Sequence, residues 1–134
     1  MMRYVIMAAL MALMASCSKD TEDKLEGKWQ LQQVDVDGEV TQADTVFYNF
    51  QNRIFMYQIY RPAVDSTIYR HGFKTLEDDG STLTLELTDN PYGLGGFMPY
   101  TDWASPSRVF TIEKLSAGQL ILDSEGKRYL FRKF

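Results

Sequence analysis

The sequence predicts an all-β protein: an eight-stranded, antiparallel, up-and-down barrel after an N-terminal signal segment. Three observations predict it. Short stretches rich in β-branched and aromatic residues alternate polar and apolar side chains with a period of two. Breaks of hairpin length containing Gly, Asp or Asn separate them. Beyond the first sixteen residues, no stretch sustains the 3.6-residue apolar period of a long packed helix. Sequential strands on short turns pair as neighbours, and a meander of eight removes its edges by closing.

Residues 1–16 read as an export signal. Arg3 supplies the positive start, and Val5 to Met14 is an uncharged apolar run of ten residues. That is too short for a bilayer span, which needs about 20. Ala15 and Ser16 are small, and Cys17, the only cysteine, follows them. The stretch Met14-Ala15-Ser16-Cys17 resembles the lipobox of bacterial lipoproteins, with Met where Leu is usual. The resemblance implies diacylation of the Cys17 thiol and cleavage just before it, and acyl chains anchor a protein at about 0.8 kcal/mol per buried methylene. Residues 17–24 are polar and acid-rich and read as a flexible tether. They also resemble the acidic export signal of surface lipoproteins in Bacteroidetes. The expected location is therefore the outer membrane, with the acidic segment favouring the cell surface over the periplasm and leaving both orientations open.

Residues 25–134 form the expected barrel. The first strand is Lys28 to Val36, closed by the turn Asp37-Gly38. Trp29 and Leu31 share one phase, whereas Val34 and Val36 share the other, which predicts a bulge near Gln32-Gln33. Thr45 to Phe50 follows, and Gln51-Asn52 turns the chain into Arg53 to Arg61. Pro62 stops pairing there, and Ser66 to Thr75 comes next. Asp78-Asp79-Gly80 is a turn. Ser81 to Thr88 alternates most regularly, with Leu83, Leu85 and Leu87 on one face. Arg108 to Leu115, Gln119 to Asp123 and Lys127 to Phe134 complete the eight, joined at Ala117-Gly118 and Glu125-Gly126. A short helical turn is expected around Glu22 to Glu26. The longest irregular segment, Asp89 to Ser107, carries Leu94, Phe97, Met98, Tyr100 and Trp103 and is too aromatic for a solvated spacer.

Leu25-Glu26-Gly27-Lys28-Trp29 resembles the Gly-x-Trp opening of lipocalin-like (calycin) domains, at the start of the first strand after a short helical turn. The compact length resembles the lipocalin-like lipoproteins of Bacteroidetes. In that family the Trp plugs the closed end of the barrel, beneath a basic side chain from the last strand. The resemblance thus implies a barrel-closing set of Gly27 and Trp29 with Arg128 or Arg132. A cation over an indole contributes about 0.5–2 kcal/mol.

Composition excludes several chemistries. The formal charge of −4 argues against nucleic acid, which selects basic surfaces. With a single His, and the single Cys expected to be lipidated so that no free thiol remains, a His-rich zinc site or a Cys–His dyad is not available. The pairs Asp35/Asp37 and Asp78/Asp79 sit at turns, where Asp caps its own backbone. Gly93-Leu94-Gly95-Gly96 lacks the Lys and helix of a phosphate loop. No catalytic residue, cofactor or metal is expected.

The candidates for binding are aromatic. Tyr69, His71 and Phe73 share one phase, read here as lining the lumen. Tyr92, Phe97, Tyr100 and Trp103 belong to the long loop. The expected function is a non-enzymatic, membrane-anchored module holding a small hydrophobic or amphipathic ligand in the barrel. The alternative is a module for protein interaction or inhibition, or for surface glycans, built on a barrel filled by its own side chains.

Overall fold

The structure is a computed structural model and describes residues 19–88 and 91–134, with the side chains of 91 and 92 left out. The stretch read as an export signal and Cys17 lie outside the described residues. Residues 19–25 are helical (α1), so 19–24 of the stretch read as a tether are ordered as helix. Lys24 pairs with Asp20 one turn earlier at 3.2 Å, a spacing that supports short helices. Leu25 ends the helix fully buried.

Nine strands follow: β1 Gly27–Val36, β2 Glu39–Gln42, β3 Val46–Gln51, β4 Ile54–Arg61, β5 Ser66–Leu76, β6 Thr82–Leu87, β7 Ser107–Leu115, β8 Gln119–Ser124 and β9 Lys127–Lys133. Neighbours pair antiparallel, and β9 returns to β1 to close the sheet. The barrel still has eight positions. β3 pairs with Gly27 to Gln30 of β1 and β2 with Gln33 to Val36, so the two short strands share one place end to end. β2 was not expected because all four of its residues are exposed, leaving no apolar phase to read. The bulge predicted in the first strand is present: β1 slips against β9 between Leu31 and Gln33. That slip lets Trp29 and Leu31 face inward in one half of a strand whose later residues change phase.

Turn chemistry fixes the register. Asp37 and Gly38 both adopt positive φ (54° and 86°), as do Glu125 and Gly126 (53° and 78°), the geometry of tight hairpins. Asp79 accepts hydrogen bonds from the amides of Ser81 and Thr82 at 2.9 and 3.0 Å, which holds its carboxyl below the usual range. Gly72 answers to a different constraint. It faces inward where β5 and β6 converge, and a Cβ there would lie 1.7 Å from the carbonyl oxygen of Glu86.

The long connection between β6 and β7 contains a short helix, α2 (Pro91–Gly95), and a 3₁₀ turn (Met98–Tyr100). It folds over one mouth of the barrel, while α1 covers the other end.

Candidate functional site

At the α1 end, Trp29 is fully buried, and its Nε1 donates to the Leu25 carbonyl at 2.9 Å. The cation over its indole is Lys133, with Nζ 4.6 Å from the ring, and not Arg128 or Arg132. Phase explains the correction. Tyr129 and Phe131 face inward, so Lys133 shares their side of β9 and pairs directly with Trp29. Arg128 and Arg132 alternate outward, where Arg128 Nε bonds Glu113 Oε2 at 2.6 Å and Arg132 Nε bonds Gln30 Oε1 at 2.8 Å. The inward phase of Tyr129 and Phe131 was the signal that would have selected Lys133. Lys133 also donates to the Glu26 carbonyl. A Cβ on Gly27 (φ +115°) would lie 2.5 Å from its Nζ, so this glycine makes room for the crossing side chain.

The interior between the two ends holds side chains. Tyr48 stands at its centre, with ring contacts to Phe50, Phe55, Tyr57, Trp103, Phe110 and Phe131 at centroid distances from 4.9 to 6.4 Å. Two loop residues plug the mouth. Phe97 is fully buried, edge-on to Tyr57 at 5.2 Å. Trp103 stacks on Phe55 at 6.0 Å and 8°, and its Nε1 donates to the Tyr48 hydroxyl at 3.1 Å.

A polar latch sits over this plug. Arg108, 4% exposed, donates from Nε to Ser124 Oγ at 3.0 Å and from Nη1 to Asp102 Oδ1 at 3.3 Å. Its guanidinium lies over Phe110 and Tyr129 at 5.0 and 5.1 Å. Asp102 also accepts from Lys127 Nζ at 3.3 Å and from the Tyr129 hydroxyl. Burial pushes the Tyr48 and Tyr57 phenols up; for Tyr129 burial is again the largest cause, with Asp102 adding to it. All three stay neutral donors across ordinary pH. Sequence reasoning missed Arg108 and Asp102. The signal was Arg108 two residues before the inward Phe110.

The β5 aromatics are not in the lumen. Tyr69 and Phe73 are 50% and 53% exposed, and His71 is exposed between them. The inward face of β5 is instead Ile68, Arg70, Gly72 and Lys74. Reading apolar residues as inward failed here because the close approach at Gly72 fixes the phase. Arg70 serves the loop, its Nε donating to the Gly93 carbonyl at 2.7 Å and its guanidinium over Phe97 at 5.3 Å. On the outer wall Ile54 pairs with Phe73, Met56 with His71 and Gln58 with Tyr69. These residues include no Lys, Arg, Asp or Glu and make a largely apolar face, with Ile54 49% exposed and a small dimple of about 80 Å³ beside Met56 and His71. Tyr100 stands apart from it at the mouth, 53% exposed, its hydroxyl taking a hydrogen bond from Arg61 Nη1 at 3.3 Å. Tyr92 belongs to α2, and its side chain lies outside the described residues.

A closed antiparallel barrel with Gly-x-Trp at its base and a cation over the indole defines the lipocalin-like class. Residues 11–134 match the family described as Lipocalin-like domain, and the chain belongs to it. Solved structures similar to it include two from Bacteroides species. A lipocalin-like protein from Bacteroides uniformis is 32% identical, with a TM-score of 0.73 over 83% of this chain and 99% of that one. An uncharacterized protein from Bacteroides eggerthii is 28% identical, with a TM-score of 0.69 over 82% and 99%. No functionally curated protein matches the sequence.

Proposed function

We propose that this chain is a non-enzymatic binding module of the bacterial outer membrane, anchored through acyl chains on Cys17, which recognises a protein partner on the outer wall of β4 and β5. The observation that carries this reading is the filled lumen. Tyr48, Phe55, Phe97 and Trp103 occupy the space a lipophilic ligand would need, and Trp103 is tied to Tyr48 by a hydrogen bond. A ligand inside would have to displace both loop aromatics from well-packed positions. The outer wall offers Ile54, Met56, Tyr69 and Phe73 without any such rearrangement. Contiguous exposed apolar surface with an aromatic share is typical of protein interaction sites. The aliphatic Ile54 and Met56 beside the rings suit a protein better than a glycan.

The test is a photo-crosslinking amino acid placed in the native host at Phe73 and, as control, at Asp123 on β8. One protein species captured from position 73 and lost when Tyr69→Ser is added supports the reading. Equal capture from both positions, or none from position 73, contradicts it. The anchor is tested separately. Cys17→Ser should release the protein from the membrane fraction or leave it unprocessed, whereas unchanged partitioning and processing would exclude lipidation.

A further inference from the structure

A second cleft, unrelated to that wall, lies between α1 and the turn joining β3 to β4. It has a volume of about 310 Å³ and is lined by Glu22, Asp23 and Glu26 on the helix side and by Asn52, Arg53 and Lys74 on the barrel side. Lys74 is the unusual member. It sits on the inward phase of β5, and only 6% of its surface is exposed. Its ammonium makes no hydrogen bond or ion pair among the described residues, and neither does the side chain of Arg53. The stem is buried while the charge at its tip is left to the cleft, with no group among the described residues to answer it. Among the described residues the fully enclosed side-chain atoms that lack partners are Gln58 Oε1 and Arg61 Nε. The Lys74 ammonium is not among them, so its access is through the cleft.

The carboxylates across the cleft do not satisfy it. Lys24, not Lys74, takes the helix's ion pair, with Asp20. Glu26 turns its carboxylate to the Asn52 amide at 2.7 Å. Glu22 and Asp23 make no ion pair within the described residues. Two cations on one side thus face two carboxylates on the other, with a gap between them.

We propose that this cleft binds a small zwitterion, phosphoethanolamine in chemistry: its phosphate on Lys74 and Arg53, its ammonium on Glu22 and Asp23. Charge-assisted hydrogen bonds at both ends favour the intact zwitterion over either half. A simple polyanion meets repulsion from the helix carboxylates, and a simple cation meets it from Lys74. The same group occurs as a free metabolite and as a phospholipid headgroup. The headgroup source rests on the anchoring reading, because α1 begins within two residues of Cys17 and would hold this end of the barrel at the bilayer. Binding of the free compound does not depend on it.

The test uses the full chain carrying Cys17→Ser, so that no acyl chain contributes. Calorimetric titration with O-phosphoethanolamine should saturate at one site, with affinity at least about fivefold above inorganic phosphate or ethanolamine alone. Lys74→Met should weaken it about tenfold or more, while Lys74→Arg keeps most of it. Replacing an ammonium that opens to the cleft with an apolar tip on the same buried stem need not unfold the protein. Should Lys74→Met nevertheless fail to fold, Arg53→Gln reads the same contact from an exposed position. Glu22→Gln with Asp23→Asn should abolish the preference over phosphate. Co-sedimentation with phosphatidylethanolamine but not phosphatidylcholine vesicles, lost in Lys74→Met, assigns the headgroup as source; titration without vesicle preference assigns the soluble compound. Absence of saturation, equal affinity for inorganic phosphate, or indifference to both Lys74→Met and Arg53→Gln overturns the proposal.

Discussion

Trp103 and Lys133 hold the two ends of the barrel through contacts of different kinds. Trp103 fills volume beside Phe55 and satisfies the Tyr48 hydroxyl. Trp103→Ala therefore leaves a cavity and removes a donor from the Tyr48 hydroxyl, and should cost about 3–5 kcal/mol in a urea titration. Lys133 contributes a cation over an indole from a largely exposed position, so Lys133→Met should cost only about 0.5–1 kcal/mol. Arg132→Met, on the outer wall, should change stability by less than about 0.5 kcal/mol. If Arg132 proved the costlier of the two, the assignment of the closing cation would be wrong.

Among the elements, β5 teaches most about reading strands. Its exposed phase carries Tyr69, His71 and Phe73 and its buried phase carries Arg70, Gly72 and Lys74, the reverse of what hydrophobicity suggests. The register is set where the chain cannot accept a Cβ. Gly72→Ala would place a methyl 1.7 Å from the Glu86 carbonyl and must push β5 from β6. We expect a loss of about 3 kcal/mol or more, beyond ordinary overpacking, with accelerated amide exchange in both strands. β6, by contrast, was legible because its apolar residues alternate without exception and one face is buried, and β8 because its short apolar run lies between two turns. The exposed β2 offered no such alternation. The long loop was legible as a packed element from its aromatics, but which of them pack inward was not. Phe97 and Trp103 go in, while Tyr100 stays out with Arg61, a choice fixed by partners distant in sequence.

Taken whole, the molecule is a barrel whose interior is ring on ring, with neutral phenols at its centre. This gives it a defined weakness. Tyr48, Tyr57 and Tyr129 have folded-state pKa values raised above their unfolded value near 10, chiefly by burial. A group of this kind contributes stability fully below its unfolded pKa and loses it as pH rises towards the folded one. Thermal midpoints should therefore hold to about pH 10 and fall steeply above it. Tyr48→Phe should flatten that fall at the expense of the Trp103 hydrogen bond. A midpoint insensitive to pH between 10 and 12 would mean the phenols are hydrated.

The closed sheet and its Gly-x-Trp base were legible because they rest on period, turn residues and one local motif. The solidity of the interior was not, since it depends on how eight strands and a loop share one volume. Native mass spectrometry of the Cys17→Ser chain purified from its own host tests that solidity most directly. A filled barrel predicts the bare polypeptide mass after gentle desolvation, apart from any headgroup-sized adduct that Lys74→Met removes. A stoichiometric lipid-sized adduct, accompanied by a shift of Trp103 emission on its removal, would show an opened lumen and contradict the account.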